Sequence, residues 1–353
     1  MPGISFEGPV SLRVSSFLGL NAIALSTYAR RAFGYRLTPG WDVGLEIGVR
    51  FWRRQFTRAM TATDIGVGRL ILDSLQTETP DIYTVDCKPE TEPAGTWHIP
   101  HRRTSAATIL YLHGGGYAFH GAMSRRFAAM LAHHTGAPVF APDYRLTPEH
   151  PHPAQAEDAI AAWAYVTGME PPERIVVVGD SAGGHMMLTL LLSLKAAGKK
   201  QPALGIGLCA WTDIGERGTS MHSNDPYDLV QGWMALRFGE WLDPQGRYGR
   251  GALSPICHDF KGLAPLYLQA GGREILCDMI RDFASTQAQN GTSVMLDVWP
   301  DMPHDFQLLD GTQHDACQAL ARIRLAVRHA VDGDAQLAVG AMTEIANGFP
   351  GAD

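Results

Sequence analysis

The stretch RIVVVGDSAGGHMMLTLLLSLKAA, Arg174 to Ala197, holds the reading that decides the fold. Ile175 to Val178 are apolar and β-branched, as in a buried strand, and Ala182 to Ala197 read as a helix. Between them, Gly179-Asp180-Ser181-Ala182-Gly183 forms G-x-S-x-G. Small neighbours let the backbone turn sharply from strand into helix and push a serine into the open. The helix N-terminus then favours negative charge beside that serine. Taken alone, the pentapeptide reads equally well as a Gly-rich turn or half of a phosphate loop. The strand before it and the helix after it select a nucleophile elbow.

Outward from this turn the same alternation repeats. Strand-like runs are ATILYLH (107–113), APVFAPDY (137–144), ALGIGLCAW (203–211), APLYLQAG (264–271) and SVMLDVW (293–299), preceded by DIYTVDC (81–87) and TWHIPHR (96–102) as an antiparallel start. Helical patterns fall at 124–134, 154–166, 275–289 and 316–331. This rhythm predicts an α/β fold with a mostly parallel sheet and helices on its faces over residues 76–332. Residues 1–75 break it as a helical segment with Trp41, Phe51, Trp52 and Phe56. An aromatic-rich insertion at about 212–258 breaks it again, longer than such connections usually are. A helical elaboration packing on itself would suffice, but its place beside the strand ends favours a lid. The tail, 333–353, is expected to be loosely held.

The 353 residues are 45% apolar and 18% charged, which excludes disordered and fibrous classes. With 29 Lys+Arg against 36 Asp+Glu the formal charge is −7, so no nucleic-acid partner is expected. Five scattered cysteines form no C-x-x-C pair, which argues against a disulfide framework and a structural zinc site. The pairs His133/His134 and His150/His152 match no zinc spacing, so no metal is expected. Residues 14–29, between Arg13 and Arg30, loosely imitate a signal peptide. Polar interruptions, and a stripe of Val14, Phe17, Leu18 and Leu25, predict instead an amphipathic helix of the folded body. No run is expected to reach the length of a membrane span, and the expected address is the cytoplasm.

A second motif, His113-Gly114-Gly115-Gly116-Tyr117, follows directly on the strand-like Ile109 to Leu112. Consecutive glycines let the backbone approach a reacting group and aim N–H groups at it. Together with DYRLTPEHPHPAQAEDA (143–159), GDSAGG (179–184), SPI (254–256) and MPHDF (302–306), the chain resembles the hormone-sensitive lipase branch of the α/β hydrolases from about 82 to 331.

That resemblance implies an eight-stranded, mostly parallel α/β-hydrolase sheet, with residues 1–75 joining the insertion as a helical cap. It implies Ser181 as nucleophile, His304 as general base, and the N–H groups of Gly114, Gly115 and Ala182 as an oxyanion hole. His304 also suits that role independently, in a loop after a strand and C-terminal to Ser181. Asp143, Arg145 and Glu149 read as loop-bracing residues. For the acid, the family's D-P-L-x-D is replaced by Glu274-Ile275-Leu276-Cys277-Asp278; Leu276 and Asp278 set the register and put Glu274 in the catalytic place. Asp278, Asp301 and Asp305 are its rivals. The activity implied is cofactor-free hydrolysis of small to medium carboxylic esters, with an amidase or arylformamidase as the alternative. A non-catalytic ligand receptor on the same fold would lack His304. The resemblance also suggests a homodimer through strand 293–298, whose edge would otherwise lie open.

Overall fold

The computed structural model describes residues 3–78 and 83–349. The chain opens with β1 (Gly3–Ser5), α1 (Val10–Ala32), α2 (Val43–Met60), α3 (Ile65–Asp73) and β2 (Gln76–Glu78), with β1 and β2 paired antiparallel. Asp42 and Asp64 start α2 and α3 by accepting the N–H of Leu45 (2.8 Å) and Val67 (2.9 Å), as N-cap carboxylates do.

The first helix corrects two expectations. Its apolar stripe faces outward: Leu18 is 61% and Leu25 72% exposed, while Ser16, Gly19 and Thr27 are buried. Periodicity locates a stripe but not its partner, and here α2 offers arginines and a glutamine to a serine-rich face. Gln55 donates to Ser16 (2.9 Å), Arg58 to Ser15 (3.0 Å), and Arg50 to Ser26 (3.0 Å) and Thr27. The helix is also long and apolar enough, by length and composition, to cross a membrane, contrary to the expectation that no run would be.

Next come β3 (Val85–Thr91), β4 (Ala94–Pro100), β5 (Thr108–Leu112), α4 (Ala122–Thr135), β6 (Val139–Pro142), α5 (Ala154–Thr167), β7 (Ile175–Asp180), α6 (Ala182–Ala196) and β8 (Leu204–Leu208). Of the run 81–87 read as the first strand, Asp81 and Ile82 lie outside the described residues. The insertion carries α7 (Ser220–Ser223), α8 (Gly232–Leu242) and α9 (Gly249–Leu253), followed by β9 (Leu266–Gly271), α10 (Cys277–Gln289), β10 (Val294–Trp299), α11 (His314–Val327) and β11 (Thr343–Asn347).

The central sheet runs β11-β10-β9-β8-β7-β5-β6-β4-β3, parallel from β6 to β10 and antiparallel at both ends. Every residue of β5, β7, β8, β9 and β10 is buried, as parallel strands covered on both faces require. One core packs α5, α6 and α10 on one face; another packs α4 and α11 on the other.

The sheet has nine described strands rather than the eight expected, because the tail supplies one. β11 pairs antiparallel with β10 from Val294↔Asn347 to Asp297↔Thr343. Arg281 grips Glu344 through two hydrogen bonds of 2.7 and 2.6 Å, and Asn347 donates to the Thr292 carbonyl (3.0 Å). The tail expected to hang loose is therefore pinned at Thr343–Asn347, residues 350–353 lying outside the described residues, and the strand expected to be an open edge is paired on both sides. The edge argument for a dimer through 293–298 fails with it.

Candidate active site

Ser181 sits between β7 and α6 with φ 51°. A side chain on Gly179 would overlap the backbone of Gly183 and Gly184, and one on Gly183 the Leu112 carbonyl, so the tight turn depends on both glycines. The Ser181 N–H donates to the Leu208 carbonyl (2.9 Å), tying the turn to the neighbouring strand. The serine lines a cavity of about 910 Å³, measured to include its open mouth, which also receives His304. Trp52, Phe56 and Leu72 from α2 and α3 line it on one side, and Leu229, Val230 and Phe238 from the insertion on another. No residue of α1 is among the lining residues.

His304 follows β10, and Glu274 lies just beyond β9. The His304 Nδ1 and Glu274 Oε2 are 2.6 Å apart, with side-chain exposures of 2% and 0%. Glu274 Oε1 accepts the Gly271 N–H (2.9 Å), which fixes the carboxylate's plane. An ionised carboxylate only accepts, so it holds the ring proton on Nδ1 and leaves the Nε2 lone pair free for a proton. Ser181 and Nε2 share the cavity without a direct hydrogen bond among the described residues; such contacts are often loose in unliganded sites.

The rivals of Glu274 lie elsewhere. Asp278 accepts from Thr219 (2.9 Å) and the Ser220 N–H (2.9 Å), and Asp301 faces Arg273 (3.2 Å). Asp305 approaches the ring, but at Nε2 (3.5 Å), the wrong nitrogen for an orienting acid.

The glycine loop departs from expectation at one residue. The Gly114 N–H points into the body and donates to Asp180 Oδ1 (2.9 Å), so it is not free to face a reacting oxygen. Asp180 also accepts from the Tyr111 hydroxyl (2.7 Å), and burial raises its pKa to about 6. Among the described residues, the N–H groups of Gly115, Gly116 and Ala182 have no acceptor. Positive φ at Gly115 (93°) and Gly116 (61°) permits the turn that exposes them. Arg69 of α3 braces this loop, donating to the Ala118 carbonyl (2.8 Å) and pairing with Glu149 (2.7 Å). Arg145 pairs with Asp158 (2.7 Å) and Glu157 (2.8 Å), a bracing role as read from sequence.

One further buried carboxylate belongs to the site. Asp228, in the insertion and fully buried, accepts the Ile275 N–H (2.7 Å) beside Glu274 and the His304 N–H (3.3 Å). It joins the insertion to the loops carrying both groups. In sequence it is one more aspartate in a loop, and no local signal marks it.

Electrostatics follows from this crowding. Desolvation pushes the His304 imidazolium down, but Asp305, Glu274 and Asp228 outweigh it and raise the pKa. Burial raises Asp228 to about 6 and carries Asp305 well above the carboxylate range. Ligand atoms of Cys209, His304 and Asp305 lie within 4.8 Å of one another, a grouping that could hold a metal. Burial pushes the Cys209 thiol well up, however, which keeps it protonated and a poor ligand.

A serine on a strand-to-helix elbow, facing a carboxylate-held imidazole at the ends of parallel strands, defines the class: an α/β hydrolase. The family model described as alpha/beta hydrolase fold matches residues 109–308. An acetyl-hydrolase of Streptomyces hygroscopicus is 36% identical over 217 residues, 59% of this chain and 70% of that protein. An esterase of Acinetobacter venetianus is 32% identical over 264 residues, 72% of this chain and 86% of its own. The crystal structure of an esterase from the bacterial hormone-sensitive lipase family superposes with TM-score 0.67 at 27% identity, over 89% of this chain and 98% of that one. This chain belongs to the hormone-sensitive lipase branch of the α/β-hydrolase family.

Proposed function

We propose that this protein hydrolyses small to medium carboxylic esters, with Ser181 as nucleophile, His304 as general base and Glu274 as the acid that orients it. The observation that carries the reading is the 2.6 Å contact of Glu274 with His304 Nδ1, which turns Nε2 toward the cavity that Ser181 lines. As Ser181 Oγ attacks the ester carbonyl, Nε2 takes its proton and Glu274 stabilises the imidazolium. The carbonyl oxygen becomes an oxyanion, held by the N–H groups of Gly115, Gly116 and Ala182. His304 then protonates the departing alkoxide. Water repeats the sequence on the acyl-enzyme, releasing the acid and restoring Ser181. The family names carried by relatives, among them an ethyl acetate hydrolase of Pseudomonas putida at 28% identity, support an ester substrate.

The cavity walls limit the acyl chain: Trp52 and Phe56 on one side and Phe238 on the other close around it. Five free thiols support the cytoplasmic address. The test is turnover of p-nitrophenyl esters of increasing acyl length, with matched anilides in parallel. Hydrolysis falling with chain length, and esters far ahead of anilides, is the expected result. Preference for the anilides would make the chain an amidase.

A further inference from the structure

Helix α1 is inverted, and the inversion leaves a surface that no described residue covers. Val10, Val14, Phe17, Leu18, Leu25 and Tyr28 recur at helical spacing on one face, all exposed. Asn21, the polar residue on that face, turns its amide onto the Phe17 carbonyl (2.8 Å). The helix's own polar side chains are spent inward on α2, and Gly19 leaves the space that the Arg54 guanidinium fills. Just past the helix end, Phe33 (81%) and Tyr35 are exposed as well.

Charge identifies the occupant. Residues 10–60 hold eight arginines against Asp42 and Glu46, in a chain whose net charge is −7, and α1 contains no acidic residue. Among the described residues, Arg13, Arg30, Arg36 and Arg54 form no ion pair. Arg54 borders a groove along α1 that it shares with Ser11, Ser15, Ser26 and Leu18, so hydroxyls, a cation and apolar surface lie side by side. A second copy docked symmetrically on this face would set arginine against arginine, whereas anionic lipid headgroups would neutralise them. Although α1 has the length to span, its inner face is engaged by Gln55, Arg58 and Arg50 of α2, so only the outer stripe is available to lipid. A helix held this way lies in the interface rather than crossing it.

We propose that the outer face of α1 is a docking surface for anionic membrane. Its apolar stripe enters the acyl boundary, and Arg13 and Arg30, which flank its uncharged run, meet headgroup phosphates. α2 presents Arg50 and Arg58 to α1 but Trp52 and Phe56 to the active-site cavity, so the docking face and the cavity lie on different sides of α2.

The test is co-flotation of the full chain with vesicles of phosphatidylcholine alone and of equal parts phosphatidylcholine and phosphatidylglycerol. Binding to the mixed vesicles, weakened by salt, is expected. Joint replacement Phe17→Ser, Leu18→Ser and Leu25→Ser should lower the partition coefficient about a hundredfold. Replacing Arg13 and Arg30 by Gln should lower it by about fivefold per residue on the mixed vesicles and little on phosphatidylcholine alone. Neither set lines the cavity, so hydrolysis of p-nitrophenyl acetate in vesicle-free buffer should hold, which also shows that the variants fold. Absence of binding to either vesicle, or equal binding by the serine variant, overturns the proposal. So does a dimer, seen by sedimentation equilibrium, that the same serine substitutions dissolve; the face would then be an interface between copies.

Discussion

Replacing Glu274 by Gln is the sharpest probe of the site. The amide oxygen can keep the Gly271 N–H now held by Oε1. Its NH₂ must then face His304 Nδ1, where Oε2 stands at 2.6 Å. Two donors cannot share that contact, so the ring shifts its proton to Nε2, the atom that must accept from Ser181. The imidazolium formed during attack also loses its counter-charge. For charge centres about 4 Å apart at an effective dielectric of about 20, that attraction is about 4 kcal/mol. With the wrong tautomer added, the expected loss in kcat is about 10⁴-fold, the scale known when a triad acid is made neutral elsewhere. The assay is steady-state hydrolysis of p-nitrophenyl butyrate, with thermal unfolding as the check that the isosteric change leaves the fold intact. Asp278→Asn is the control; its carboxylate caps the turn at Thr219 and Ser220, so it should cost less than tenfold. A loss below tenfold for Glu274→Gln, or a larger one for Asp278→Asn, refutes the assignment.

Ser181→Ala should abolish turnover, by about a million-fold, with an unchanged melting curve; a few per cent of residual activity in purified protein contradicts the nucleophile. His304 must be neutral to act as base, and Asp305 raises its pKa, so Asp305→Asn should move the acid limb of the pH–rate profile to lower pH. An upward shift or none would show that Asp305 does not act on the ring. Asp228→Asn should lower kcat by about 10- to 100-fold with little change in KM and move the same limb downward, because a position and a charge are both lost. An unaltered profile with reduced Tm would reduce Asp228 to a packing residue. Desolvation works against the Asp213 carboxylate, but hydrogen bonds from Arg250, Arg217, Gly215 and Ser254 hold its pKa below the ordinary range. The stability it contributes is full above the unfolded carboxylate's pKa of about 4 and is lost as pH falls below it. Asp213→Ala should lower Tm at neutral pH by roughly 3 to 6 °C, and the gap from wild type should narrow on acidification.

What could be read from sequence was what local chemistry decides. The apolar runs that became β5 and β7 to β10 and the elbow glycines depend on neighbours a few residues away, while Glu274 is placed by the resemblance through Leu276 and Asp278. What could not be read depends on contacts across the fold. The direction of the Gly114 N–H is set by Asp180, sixty-six residues on. The orientation of α1 is set by what α2 presents to it, and a serine-rich face among arginines inverts the usual rule. Thr343 to Asn347, TEIAN, has no apolar alternation strong enough to announce a strand; it becomes one because β10 offers unpaired backbone groups. Asp228 matters only because two loops from distant parts of the chain converge on it.

The late arrival of β11 gives the sheet a history during synthesis. Thr343 is added 44 residues after Trp299, which at about 5 to 20 residues per second takes the ribosome roughly 2 to 9 s. For that interval the VMLDVW strand has a bare flank, the kind of template on which nascent chains stick to one another. Asp297, in the middle of it, is held in the finished fold by Arg322 and Thr343. Until those partners exist, its unneutralised charge repels an identical strand from another copy. One carboxylate thus guards the growing edge and later anchors the strand that seals it.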